Sequence, residues 1–77
     1  MPHGIFNWSP EDVVRFLTAY HFRLSHSRGS HFYYVGKYSG ELRQVSVPFH
    51  GSRALKPRTL NSIVRQSGIP KEKWLNS

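Results

Sequence analysis

A chain of 77 residues without a single cysteine has to hold itself together by packing alone. Disulfides are excluded, and so are thiolate metal sites. A domain this short buries only about 60% of the surface its unfolded chain exposes, so its core is thin. Chains of this size commonly lean on a metal or a partner when they lack a disulfide. We expect residues 1–77 to form a single small domain, because the length is about half of what one ordinary domain takes. The missing cysteine fits a cytoplasmic protein. Met1 to Trp8 shows neither a basic n-region nor an apolar h-region, so no signal peptide is expected there. No apolar run approaches the ~20 residues of a membrane span.

Hydrophobic spacing divides the chain into five main elements. Ser9-Pro10-Glu11-Asp12 opens a helix over about residues 9–20. Ser9 caps free N–H groups, Pro10 sits where its missing N–H costs nothing, and the two acids face the positive end of the helix dipole. Val13, Phe16, Leu17 and Tyr20 then fall on one helical stripe. From His21 the period changes to two. Phe22, Leu24 and His26 are expected on one face of a first strand, and Ser27 to Ser30 form a tight turn. His31 to Val35 is a second strand rich in aromatics, with Phe32 and Tyr34 on its core face and His31, Tyr33 and Val35 on the other. Gly36 to Glu41 reads as a second hairpin loop, and Arg43 to Val47 alternates again until Pro48. Phe49 to Lys56 reads as a loop. Pro57 begins a second helix with Leu60, Ile63 and Val64 on its apolar stripe, and Gly68 ends it. Pro70 to Leu75 adds one short helical turn. The expected fold is α+β, in the order α-β-β-β-α, with a three-stranded antiparallel sheet packed by two helices.

Charge narrows the chemistry. Eleven Lys and Arg oppose four Asp and Glu, leaving a formal net charge of +7, which points to a polyanionic partner and foremost to nucleic acid. The acids are Glu11, Asp12, Glu41 and Glu72, and only the first two adjoin. Paired-carboxylate glycosidases and two-metal nucleases need several convergent acids, so neither is expected. His21 and His26, five residues apart across a helix–strand junction, make a poor metal site without carboxylate help, and His3 shares no spacing with them. No cofactor is expected.

His31 stands first among the candidate residues. It opens a strand directly after a Gly-Ser turn, a position that holds an imidazole rigidly. RNA carries its own nucleophile in the 2′-OH, so its cleavage needs a base, an acid for the leaving 5′-oxygen and cations for the phosphorane. An imidazole performs either proton transfer near neutral pH. The plainer reading is an ordinary strand histidine. His50, in the loop after the third strand, is the second candidate, as the complementary acid or a phosphate contact; a solvated loop histidine is the commoner role. Lys56 and Arg28 are the expected phosphate binders nearest His31, with Arg53 and Arg58 next, although any single surface cation is usually just solvated. Backbone N–H groups at the start of the second helix also attract phosphate. Tyr33 on the outer face is placed to stack on an unpaired base, yet strand aromatics more often pack against helices. Ser30 is placed to orient His31 or bond phosphate, although a serine there is usually turn chemistry.

The order of elements is that of a double-stranded RNA-binding domain, which argues for fold more than function. Two motifs are more specific. Arg28-Gly29-Ser30-His31 followed by aromatics resembles the Gly-Ser-His hairpin of HicA-type toxins. Val47-Pro48-Phe49-His50-Gly51, Leu55-Lys56-Pro57-Arg58-Thr59-Leu60, Ile63 and Ser67-Gly68-Ile69 resemble that family's C-terminal half in order and spacing. The resemblance spans roughly residues 10–70. It implies a ribosome-independent endoribonuclease toxin of a type II toxin–antitoxin pair, acting on messenger and other RNA, and with the residues above the first reading is cleavage of mRNA by histidine acid–base catalysis without a metal. Its implied partner is a HicB-type antitoxin that covers the active face, giving a hetero-oligomer. The family's essential histidine falls on His31, led in by Gly29 and Ser30. The chain departs at Arg58, where many relatives carry glycine, and in its hydrophobic lead-in Ile5, Phe6 and Trp8, which has no assigned role. The alternative is a non-catalytic RNA-binding module of the same fold, in which His31 is structural.

Overall fold

In the computed structural model, which describes residues 7–51 and 53–77, the elements run α1 (Pro10–Ala19), β1 (Arg23–Arg28), β2 (His31–Tyr38), β3 (Glu41–Pro48), α2 (Pro57–Ser67) and α3 (Lys71–Leu75). Ile5 and Phe6 of the lead-in, and His3, lie outside the described residues. The helix α1 begins where its sequence signals say, and more firmly than expected. The Ser9 hydroxyl accepts from the Asp12 N–H at 3.2 Å, and the Asp12 carboxylate accepts from the Ser9 N–H at 2.9 Å. Two otherwise orphaned donors are satisfied by this reciprocal box. The helix α2 starts at Pro57 and stops at Gly68, whose φ of 75° is the left-handed cap that its sequence called for.

The three strands form one antiparallel sheet in the order β1-β2-β3. Val45 and Val47 of β3 are completely buried, and their register partners Tyr34 and Phe32 therefore share the core face, as expected. Against this face pack Val13, Phe16 and Leu17 of α1 and Leu60 and Ile63 of α2. Each fully buried aliphatic side chain contributes roughly 1.5–3 kcal/mol. Burial also raises the Tyr34 phenol above its ordinary pKa. Among the described residues no helix packs on the opposite face of the sheet.

Trp8 closes one end of the core. It meets Phe16 and Trp74 edge-on at 5.7 and 5.4 Å, and Phe16 stacks on Trp74 at 4.0 Å. Its carbonyl also accepts from the Leu55 N–H at 2.7 Å, tying the chain before α1 to the loop before α2. That is the role of Trp8 in the lead-in. The short helix α3 exists to deliver Trp74, which is wholly buried.

Two local expectations are corrected. Gly36 does not open a hairpin loop: β2 continues to Tyr38, and the turn is the pair Ser39-Gly40, both at positive φ (53° and 80°). The glycine at 36 answers a close approach, because a Cβ there would lie 2.6 Å from the ring of Phe22. Phe22 itself precedes β1 and is buried, tucked under by His21 in a left-handed conformation at φ 69°. Nor do Phe22, Leu24 and His26 share a face. A bulge between Leu24 and His26 resets the alternation, so Leu24 pairs with Tyr34 and His26 with Tyr33, on opposite sides.

Candidate active site

A cleft of about 650 Å³ lies between the outer edge of β3, the loop after it and the first turns of α2. Among its lining residues are His31, His50, Arg53, Lys56 and Arg58, together with Ser46, Pro48, Thr59, Ser62 and Gln66. No carboxylate lines it among the described residues. The wall is thus cationic and imidazole-bearing, with an apolar floor supplied by Ile63 and Leu55.

The two histidines meet in this cleft. Their rings lie edge to face, with centroids 6.1 Å apart at 90°. One backbone hydrogen bond ties the two segments together beside them. Ser30, immediately before His31, gives its carbonyl to the N–H of Phe49, immediately before His50, at 2.7 Å. His31 also pairs in register with Pro48, so the end of β3 runs beside the start of β2. Phe49 anchors the same point from the core side by meeting the Phe32 ring edge-on at 4.8 Å. Both imidazoles are exposed. A pair held within one cleft can take a proton at one position while giving one at another in the same step, whereas a lone histidine has to do the two in turn.

Three of the four expected cations line the same cleft. Lys56 is the N-cap of α2, but no side chain caps that helix and no acid stands in its first turn. The orphan N–H groups there, the dipole end and the nearby Arg58 all favour an anion. Arg53 comes from the loop. Arg28 is placed differently, as it does not line the cleft. It pairs in register with His31 across the first hairpin and lies beside it on the outer face of the sheet. Gly29 and Ser30 also stay outside the cleft wall and form the two-residue turn, with Gly29 at φ 59°. Ser30 acts here through its backbone carbonyl.

Gln66 is a cleft residue that pattern reading passed over. Its Oε1 accepts from the Ser46 N–H at 2.8 Å and its Nε2 donates to the Ser62 hydroxyl at 3.1 Å. The side chain thereby occupies the open edge of β3 and holds α2 at a fixed distance from it. The spacing of Ser62 and Gln66 at i and i+4 was visible, but their strand target was not. Among the described residues no three His, Asp or Glu side chains gather as a metal site would require, and no helix is long and apolar enough to cross a membrane.

Comparison with known proteins adds one positive finding. A family profile described as HicA toxin of bacterial toxin-antitoxin matches residues 10–69. That span runs from the first residue of α1 to just beyond the cap of α2, and contains the whole cleft. No curated protein matches the chain.

Proposed function

The chain belongs to the HicA toxin family of bacterial toxin–antitoxin systems, and on that premise we propose that it is a ribosome-independent endoribonuclease that cleaves messenger RNA by histidine acid–base catalysis without a metal. The observation that carries this reading is the edge-on contact of His31 with His50 inside a cleft ringed by Arg53, Lys56 and Arg58. One neutral imidazole removes the proton of a ribose 2′-OH, the 2′-oxygen bonds to the adjacent phosphorus, and the bond to the 5′-oxygen breaks. The second imidazole, protonated, gives its proton to that leaving oxygen. The products are a 2′,3′-cyclic phosphate and a free 5′-OH, so atoms and charge balance with no added reagent. The cations and the helix N-terminus offset the charge that builds on the phosphorane. His31 carries the reaction and His50 completes it, with Gly29 and Ser30 setting the hairpin. Lys56, Arg53 and Arg58 bind phosphate in the cleft, and Arg28 does so from the sheet face.

The proposed inhibitor is a HicB-type antitoxin that covers the cleft, in a cytoplasmic complex. The whole of residues 1–77 serves as one toxin domain in this reading. The test is cleavage of messenger RNA in EDTA by wild type and His31→Ala, with both shown to be folded. Wild-type cleavage with cyclic-phosphate ends, lost in the variant by ~10²-fold or more, is expected for removal of a general acid or base. If neither cuts but both retard RNA equally in a gel, the chain is a binding module and the nuclease reading falls.

A further inference from the structure

The sheet face that no helix covers continues from the histidine pair, and its residues are set by register. Arg28 and His31 form one row; His26, Tyr33 and Ser46 the next; Arg23, Val35 and Gln44 a third. Lys37 follows opposite Leu42. None of the four acids lies here: Glu11 and Asp12 belong to α1, Glu72 to α3, and Glu41 pairs with Tyr38, whose ring turns toward Tyr20 on the core side. The face is therefore cationic at its start, flank and end, with an aromatic pair in the middle. That pair is ordered. His26 stacks on Tyr33 with centroids 4.5 Å apart and planes within 15°.

We propose that this face is a base-stacking subsite for the single-stranded RNA leaving the cleft, with the His26–Tyr33 pair receiving the base next to the scissile phosphate and Arg23, Arg28 and Lys37 following the backbone. The inference rests on the nuclease reading above. Spacing supports it, since two residues along a strand advance about 7 Å, the scale of one extended nucleotide. So does space. His26 covers one side of Tyr33, while the register neighbour on its other side is Ser46, whose side chain is too small to cover a ring and which also lines the cleft. The bulge in β1 is what makes the pair, because it turns His26 onto the face of Tyr33. Stacking is tolerant of base identity, so the subsite adds affinity and register more than sequence choice.

The test uses the full-length protein and single-stranded oligoribonucleotides bearing 2′-O-methyl groups, which remove the nucleophile and leave binding as the readout. A fluorescent 2-aminopurine is placed at successive positions along the strand. The expected result is quenching at one position on binding wild type, with Tyr33→Leu and His26→Ala losing the quench and binding about tenfold more weakly, and Tyr33→Phe keeping both, as one base–aromatic stack requires. His26 is exposed, so its variant reads the subsite even if Tyr33→Leu fails to fold. Unaltered quench and affinity in His26→Ala and Tyr33→Leu, with normal cleavage of unmodified RNA by wild type, would overturn the subsite alone. Wild type that neither binds nor cuts RNA would overturn the subsite and the nuclease together. Variants that hold RNA normally but no longer bind the purified cognate antitoxin would give the face to that protein instead.

Discussion

His31 and His50 meet beside the hydrogen bond from the Phe49 N–H to the Ser30 carbonyl, one residue upstream of each. In the proposed mechanism the two imidazoles divide one proton relay and would act as a unit, so that their losses would not add. His50→Ala is accordingly expected to lower kcat for RNA cleavage by ~10²-fold, and the double variant with His31→Ala to be scarcely worse than His31→Ala alone; rates of the three variants on one RNA check this. A second residue-scale prediction concerns Gly36. An added Cβ would approach the Phe22 ring to 2.6 Å and the Phe22 Cα to 2.9 Å, and the backbone atom cannot swing aside. Gly36→Ala is expected to cost about 1–3 kcal/mol of stability through overpacking, read from the midpoint of urea unfolding. The position is half-buried within β2 and outside the cleft, so RNA binding by the folded fraction should persist.

At the scale of elements, the helices differ in how they begin. The N-terminus of α1 is closed on itself by Ser9 and Asp12, and Asp12 also meets Arg15 at 3.2 Å. The N-terminus of α2 has no such closure and faces the cleft. One helix start is thus used for stability and the other left open to an anion. Ser9→Ala should lower stability by about 1 kcal/mol, the usual worth of a capping side chain, without changing the cleavage rate at a temperature where the variant is folded; thermal melts and initial rates together decide it. The edges of the sheet differ as well. Gln66 covers the β3 edge, whereas β1 is protected by its bulge and by Arg23 and Arg28 at its two ends.

For the whole molecule, charge dominates. A net charge of +7 on a chain of this size repels itself, and six of the eleven cations lie on the cleft (Arg53, Lys56, Arg58) or the outer sheet face (Arg23, Arg28, Lys37). RNA affinity should therefore fall steeply with salt, with log K against log salt losing about 0.7 per phosphate contacted on a single strand. Replacing Lys56 by Gln should make that slope shallower by about one such contact; a slope unchanged in the variant would remove Lys56 from the phosphate path. The thin core and the self-repulsion are expected to leave the free chain only modestly stable. Saturating antitoxin is expected to raise its Tm, by linkage of binding to the folded state. Differential scanning with and without the partner measures it, and an unmoved Tm counts against the pairing.

Much of this was legible in the residues alone, because the signals were local. The Ser9-Pro10 start of α1, the Pro57 and Gly68 limits of α2, the alternation of Phe32 and Tyr34 and the exit of His31 from a Gly-Ser turn all lie within a few residues of their cause. The two motifs resembled one family, to which the chain proved to belong, and the cationic excess pointed separately to a polyanionic partner. What needed the tertiary structure is what distant residues do to each other. Gln66 reaches Ser46 across 20 residues of chain, Phe22 claims the space that Gly36 leaves, and Trp8 finds Trp74 at the opposite end of the sequence. None of these contacts leaves a period in the sequence, since they depend on shape and on which backbone groups remain unpaired once the sheet has formed. The meeting of His31 with His50 is of the same kind, so the sequence supplied both imidazoles and the fold made them a pair.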